Sequence, residues 1–434
     1  MTGLARRLGV FDATMIVMGG IIGGGIFRNP SEVARHVTSP SVMIGAWVAG
    51  GLIALAGAFV YAELAQRRPE VGGQYAYIRD AFHPMAAFLY GWVLLLVIQT
   101  GGMAAVSMTF ADYVRTLAGV DIDRRLLAIG MLLVLTVINC MGVRSGSNVQ
   151  NTLMVMKLAA IVMLLLVGLR AISGDNFSPP ADGGQDNFLG AMVPVLFAYG
   201  GWQTASFVSG EMRNPERDLP RGLLIGVLGV VALYVAVSLL CVLALGSAGL
   251  AATATPASDV MKLAIGDLGA QLMAGGIAIS IAGFLSQSML TAPRVYYAMA
   301  KDGVFFSRVG TLHPKTQAPV AAIAMQGAWA SVIVLFFGRY GPVLDYVVSL
   351  DATFFGLTGA ALLVFRRRDP TAVMGLRMPG HPATTIMFVA AFWILAANTV
   401  IQSPRNAGMG VLILLVGVPV YLFWRRRGRP GFQP

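Results

Sequence analysis

Few side chains in this sequence could do covalent or acid–base chemistry, and the most suggestive groups belong to the backbone. Gly19-Gly20-Ile21-Ile22-Gly23-Gly24-Gly25 places five glycines in seven residues. Each glycine in a helix interior costs about 1 kcal/mol relative to alanine, so the run favours local unwinding. A weaker interruption, Pro194 followed by Phe197-Ala198-Tyr199-Gly200-Gly201-Trp202, lies inside another apolar stretch. Where a helix breaks, the half that starts presents free N–H groups and a positive dipole end, which bind an anion. The half that stops presents free carbonyls, which accept hydrogen bonds from a cation. Such a pair suits a carboxylate and an ammonium a few ångströms apart, the polar half of an α-amino acid. An amine without a carboxylate would use only half of it. Each interruption taken singly also reads as a close helix crossing at small residues. It is the pairing that favours a site.

Two charges sit where charge is costly. Lys157 lies thirteen residues past Arg144, about 20 Å along a helix at 1.5 Å per residue. That places it close to the midplane of a bilayer, where insertion of a lysine costs roughly 3 kcal/mol, beyond the depth from which an amine snorkels to the interface. Asp351 lies nine residues into its segment, about 13 Å from that segment's start by helix rise. It is a candidate transport carboxylate, with bonding to a hydroxyl or lining of a vestibule as the alternatives. Glu63, beside Arg67 and Arg68, suits an inner gate or loop packing. No catalytic set accompanies these charges. Ser107, Ser238, Ser280, Ser286 and Ser288 are scattered, and Lys157 belongs to no nucleophile motif. The four histidines stand singly at segment edges, three of them before proline, and Cys140 and Cys241 lie inside apolar runs. No enzyme, metal site or cofactor is expected.

The elements that position these groups follow from composition. Of 434 residues, 56% are hydrophobic and 12% charged, against about 25% charged in soluble domains, which excludes a lone water-soluble globule. Twelve apolar segments run at about 12–36, 41–66, 84–117, 124–142, 146–171, 188–211, 221–246, 266–300, 318–338, 342–365, 383–402 and 407–424. Each can cross a bilayer with some tilt or overhang. The polar stretches 172–187 and 366–382 are too short to build a second core. The net charge of +11 contains no block of five or six basic residues, so nucleic acid is not an expected partner. Twenty-one of the 31 basic residues fall on the side of the termini and nine on the other, with Lys157 between. That bias places both termini in the cytoplasm. No cleavable signal peptide is expected, since the apolar stretch after Arg6-Arg7 holds Asp12 and lacks a small-residue exit. If segments 1–5 and 6–10 are repeats, an odd number of spans gives them opposite orientations and makes the two interrupted segments equivalent. Paired interruptions in corresponding places point to a transporter binding site.

At this point a resemblance can be stated. Gly20-Ile21-Ile22-Gly23-Gly24-Gly25-Ile26-Phe27 resembles the first-span signature of the amino acid–polyamine–organocation superfamily, and Phe197-Ala198-Tyr199-Gly200-Gly201-Trp202 the sixth-span signature of its L-type amino acid transporter branch. Tyr61-Ala62-Glu63-Leu64, Pro69, Gly72-Gly73, Tyr75, Asn214-Pro215, Leu219-Pro220-Arg221, Arg294, Gly303 and Pro319 recur in the expected order. The resemblance spans roughly 10–365, with two further helices after it. It implies an all-α, twelve-helix integral membrane protein of LeuT-like 5+5 inverted-repeat fold, with repeats at about 10–171 and 188–365 and extra helices at 383–424. It also implies sodium-independent amino acid transport, by exchange or with protons. By resemblance Ile21, Gly23 and Gly25 meet the substrate carboxylate, and Phe197, Ala198 and Gly200 offer carbonyls to the amine, with the Phe197 ring as a gate. Lys157 falls where sodium-coupled relatives hold an ion. Its ammonium would supply the same charge and could release a proton.

Two positions depart from the pattern. Many relatives carry serine or alanine at Gly24, and some carry a carboxylate at Gln203, so both bear on which substrate fits. The expected function is transport of small to medium neutral α-amino acids across a prokaryotic cytoplasmic membrane. Transport of cationic amino acids or polyamines is the alternative, and an amino acid sensor on a transporter fold a more distant one. The absence of a fixed cation or carboxylate near Gly23–Gly25 or Phe197–Gln203 favours neutral substrates. The expected partners are the amino acid, protons if transport is coupled, and membrane lipids. The expected assembly is a monomer or weak oligomer.

Overall fold

The computed structural model describes residues 4–119, 121–177, 186–336, 341–372, 375–402 and 404–427. Helices follow one another along these residues, and the single extended pairing is an isolated parallel bridge between Leu8 and Met212. Among the described residues eight helical stretches are long and apolar enough to cross a membrane, and Val10–Ile21 and Val320–Phe336 are shorter apolar helices. Side chains on the outer surface are apolar too. Leu126, Leu133 and Val137 are exposed along one helix, and Val155, Val162 and Leu166 along the next. Exposed apolar surface on this scale marks a membrane protein.

The first segment is broken as its glycines suggest. Helix α1 (Val10–Ile21) stops, a 3-10 turn spans Gly25–Phe27, and α2 (Asn29–Ala34) completes the segment. Helices α3 (Pro40–Arg67), α4 (Gln74–Ala81), α5 (Pro84–Val93) and α6 (Gln99–Ala118) follow. A π-helical turn at Leu94–Ile98 joins α5 to α6, with the Thr100 hydroxyl donating to the Leu95 carbonyl. Next come α7 (Arg124–Cys140) and α8 (Val143–Gly168). The other interrupted segment is α9 (Phe188–Tyr199), which carries Pro194, followed by ten residues of 3-10 helix, Trp202–Glu211. Then come α10 (Pro215–Ala252), α11 (Pro256–Ile265), α12 (Asp267–Thr291), α13 (Pro293–Lys301), α14 (Val320–Phe336), α15 (Gly341–Arg368), α16 (Ala383–Gln402) and α17 (Pro404–Arg427).

Local chemistry explains many of the starts. Proline opens α3, α5, α10, α11 and α13, where its missing N–H costs nothing. His83, Asp123 and Asn187 cap their helices by accepting from Met85, Arg125 and Gly190 amides.

Glycines set how closely the helices pack. A Cβ at Gly50 would lie 2.3 Å from Val195, and one at Gly51 2.7 Å from Val231, so α3 meets α9 and α10 nearly backbone to side chain. Gly222 and Gly226 let α10 lie on α1 in the same way. The aromatic rings of Trp47, Tyr199 and Tyr234 fill the space behind, with centroids 5.2–5.8 Å apart.

One end of the bundle is held by arginines. Glu211 takes both arms of Arg294 at 3.0 Å, with the pair at 1% and 0% exposure. The Glu211 carbonyl also accepts from the Arg7 and Leu8 amides, tying the N-terminal segment beside it. Arg79 bridges Glu70, Asp80 and Asp302 at 2.7–2.8 Å, and Glu63 joins Arg67 to Arg366. The opposite end is tied more lightly. Asp186 accepts from Thr38 and Ser39, and Arg35 donates to the Ala251 and Thr253 carbonyls.

The tightest backbone approach joins the two breaks. Gly201 adopts φ +111°, and a Cβ there would lie 2.1 Å from the Gly20 carbonyl oxygen. Strained left-handed backbone alone costs about 1–3 kcal/mol for other residues. Gly201→Ala is therefore expected to lower thermal stability in detergent well beyond that strain. Gly102→Ala, which meets nothing within 4 Å, is expected to cost nothing.

Candidate functional site

Between Ile21 and Gly25 the first segment leaves the helical path, and its carbonyls need donors from elsewhere. They find them on three different helices. Tyr234 of α10 donates its hydroxyl to the Ile21 carbonyl at 3.0 Å. Lys157 of α8, fully buried, donates its Nζ to the Ile22 carbonyl. Ser280 of α12 donates to the Gly23 carbonyl at 2.9 Å. The amides are treated differently. Ile22 N–H closes the last turn of α1 onto Met18 at 2.8 Å, whereas the Gly23 and Gly24 amides make no backbone hydrogen bond among the described residues.

The second break faces the first. A Cβ on Gly25 would come within 4.0 Å of the Ala198 Cα, and one on Gly20 within 2.6 Å of the Gly201 carbonyl oxygen. Asn29, just past the first break, donates to the Pro194 carbonyl at 2.9 Å, the proline that opens a gap in the α9 ladder. The Phe197 carbonyl receives the Gly200 amide at 3.2 Å. Beyond the break, Thr204 returns its hydroxyl to the Gly201 carbonyl at 2.6 Å and receives Gln287 of α12 at 2.6 Å.

The residues singled out from sequence are thus largely brought together. Gly23, Gly24, Gly25 and Gly200 are half-buried, Ile21 and Ala198 are buried, and Phe197 keeps 40% of its surface exposed between buried neighbours. Gln203 is buried, and its side-chain oxygen accepts the Gly201 amide at 3.0 Å. In this arrangement it shapes the turn. Asp351 lies elsewhere, on α15, half-buried in the electrostatic surroundings of Tyr61 and Tyr90. Among the described residues no cation lies within ion-pair distance of it. Glu63 is fully buried, holding Arg67, Arg366 and the Met378 amide.

Several groups escaped the sequence reading. Ser280, Gly283 and Gln287 share one face of α12. Beside them Ile281 and Phe284 lie 3.5 Å from where side chains at Gly24 and Gly23 would start. Polar residues at helical spacing inside an apolar segment were the available signal. Gly283 has a particular role: a Cβ there would lie 2.8 Å from Lys157 Cε, so glycine leaves the room in which the lysine stem reaches Ile22.

Two helix breaks thus face each other inside an apolar helical bundle, with the Gly23 and Gly24 amides lacking backbone partners at one and a proline-interrupted ladder at the other. The amino acid permease family matches residues 8–423, and the chain belongs to that family, within the amino acid–polyamine–organocation superfamily. It is 30% identical over 434 residues to the serine/threonine exchanger SteT of Bacillus subtilis, covering 98% of each chain. It is 29% identical over 441 residues to the large neutral amino acids transporter small subunit 2 of Oryctolagus cuniculus, covering 98% of this chain and 82% of the other. The Asc-type amino acid transporter 1 of Mus musculus is 27% identical over 443 residues. The protein is an amino acid transporter of the membrane.

Gly283→Ala is expected to push the Lys157 amine off the Ile22 carbonyl, leaving a buried ammonium and a buried carbonyl without each other. Amino acid uptake into proteoliposomes should fall several-fold, and thermal stability in detergent should fall with it.

Proposed function

We propose that this transporter carries small to medium neutral α-amino acids without sodium, by exchange or with protons, through alternating access. In this reading twelve spans form a single domain with a LeuT-like 5+5 inverted repeat, at about 10–171 and 188–365, plus two C-terminal helices. Both termini are cytoplasmic, in the cell membrane of a prokaryote. The observation that carries the reading is the pair of facing breaks at Gly23–Gly25 and Phe197–Gly200. The Gly23 and Gly24 amides, without backbone partners, suit a carboxylate at a positive helix start. The carbonyl end of α9 suits an ammonium. Ile21, Gly23 and Gly25 would meet the carboxylate, Phe197, Ala198 and Gly200 would offer carbonyls to the amine, and the Phe197 ring would close over the substrate.

Neutral substrates are favoured by what lies beside the breaks. Among the described residues the buried cation beside the breaks is Lys157, committed to the Ile22 carbonyl, and Gln203 is turned into its own backbone. An acidic or basic substrate side chain would find no opposite charge. That one relative is named a serine/threonine exchanger supports exchange as the mode. Lys157 would stand where a sodium ion otherwise braces the first break, either as a fixed charge or as a proton carrier. Asp351 is a second candidate for proton coupling, held off the substrate site.

Counterflow in proteoliposomes tests the function. Preloaded serine, threonine, alanine or leucine is expected to drive uptake of the labelled amino acid in sodium-free buffer. Exchange of agmatine or putrescine with none of those four would overturn the neutral reading, and binding without any exchange would make the protein a sensor. Lys157→Ala is expected to insert normally and to lower uptake by at least about tenfold, the equivalent of 1.4 kcal/mol. Uptake at the wild-type rate with unchanged pH dependence would remove the lysine from the mechanism.

The glycines give a sharper test. A Cβ at Gly24 would make ordinary contact with Ile281 at 3.5 Å, so Gly24→Ser should still bind substrate, with a shift toward smaller ones. At Gly25 the first contacts are Asn29 and Ala198, and the branches of a valine would fill the gap between the two breaks. Gly25→Val is expected to abolish substrate-induced thermal stabilisation. Wild-type affinity in that variant would place the site elsewhere.

A further inference from the structure

Away from the two breaks, the arginine-rich end of the bundle contains a cavity of about 430 Å³ between the ends of α3 and α15, residues Pro370, Arg377, His381 and Pro382, and the start of α16. Its cationic wall is Arg67, Arg366, Arg367 and Arg377, with His381 beside them. Its apolar wall includes Leu363 and Ile386. We infer that this cavity binds the phosphate headgroup of an anionic phospholipid.

The charge count is the first argument. Glu63 is the carboxylate that serves the cluster, and it is already shared, at 3.0 Å from Arg67 and 2.6 Å from Arg366. It also accepts the Met378 amide at 2.8 Å. Asp369 contributes its backbone carbonyl to Arg67, not its carboxylate. Among the described residues neither Arg367 nor Arg377 has a carboxylate within ion-pair distance, and Arg377 donates only to the Ala372 carbonyl at 2.9 Å. Four arginines thus line one cavity, and among the described residues Glu63 is the carboxylate paired with any of them. Burial first, then the Arg366 charge, hold the neighbouring His381 imidazole below its usual pKa against the pull of Glu63. Guanidinium forks match the oxygens of a phosphate, and several together outbid hydration of the anion.

The second argument is the apolar path that leaves the cavity. Ile386, at its rim, is 53% exposed, and Met387, Trp393 and Ile394 continue an exposed apolar strip along α16 at 61%, 47% and 60%. Exposed apolar surface also covers α7 and α8, and what distinguishes this strip is that it starts at the basic cavity. A phospholipid uses both, with its headgroup among the arginines and an acyl chain along α16. Basic pockets between membrane helices are the expected receptors for such headgroups.

The test measures thermal unfolding of the full chain in nanodiscs of phosphatidylcholine, with and without phosphatidylglycerol, and counts bound phosphatidylglycerol by native mass spectrometry. Arg367→Gln/Arg377→Gln removes the two unpaired charges and leaves the Glu63 pairs intact. Arg144→Gln/Lys315→Gln removes two charges from a separate basic cavity, which Arg7 also lines. Phosphatidylglycerol is expected to raise the unfolding temperature by several degrees in the wild type and in Arg144→Gln/Lys315→Gln. Arg367→Gln/Arg377→Gln should lose at least half of that rise and retain less bound lipid. Because the readout is the difference between lipids, a lower baseline in either variant leaves it intact. A full rise in Arg367→Gln/Arg377→Gln would overturn the inference. So would equal loss in both double variants, which would mean diffuse surface charge. A rise produced by glycerol phosphate added to phosphatidylcholine discs would replace the lipid with a free anion.

Discussion

Backbone opened inside an apolar bundle must be given hydrogen-bond partners, and much of this structure is arranged around that need. Water cannot supply them at membrane depth, and an orphaned carbonyl there costs several kcal/mol. The first break exposes the carbonyls of Ile21, Ile22 and Gly23 in succession. Tyr234, Lys157 and Ser280 answer them one by one. Each donor fixes the rotation and height of the helix that carries it, so α8, α10 and α12 are registered to the break as well as packed against it. Gly283 on α12 then follows as a requirement, because the lysine stem passes where its side chain would be.

The same logic explains why part of the site was legible and part was not. Five glycines in seven residues signal an unwound segment with no knowledge of the fold, and the sixth-segment proline and glycine pair does so more weakly. Lys157 was legible because charge in an apolar run has few explanations. The caps from Tyr234 and Ser280 were not, because their partners are carbonyls, which leave no trace in sequence. A tyrosine or serine in an apolar helix looks the same whether it faces lipid, a neighbour or a broken backbone. The placement of Gln203 was equally hidden: a side chain two residues past a glycine turn can cap that turn or line the cavity, and here it caps.

The helical form of 202–211 shows a further limit. The stretch reads as an ordinary continuation of α9, yet it is wound as 3-10 helix. Thr204 and Ser206 return their hydroxyls to the carbonyls of Gly201 and Gln203, three residues back, at 2.6 Å. Such local back-bonding competes with the i−4 ladder and favours the tighter winding. The tighter coil rises about 2.0 Å per residue against 1.5 Å in an α-helix. Ten residues therefore carry the chain farther from the break to Glu211 than an α-helix would.

That reach brings the second break and the arginine-rich end into one mechanical unit. Glu211 closes the 3-10 helix, holds Arg294 through both its arms and anchors the N-terminal segment through its carbonyl. Any movement of the 202–211 segment relative to α13 must therefore act on a buried ion pair. Removing one partner of such a pair typically costs 3–5 kcal/mol, because the other charge is stranded. Separation with water entering between the partners costs less, since each charge is then solvated. Arg294 Nη1 is already without a partner among the described residues, so the guanidinium is one donor short in this conformation. The alternating cycle proposed for this transporter requires that end to open, and the pair opens cheaply only if water follows it. Glu211 thus carries two attachments through different groups, Arg294 on its carboxylate and the N-terminal segment on its backbone carbonyl, where the helix leading from the second break ends.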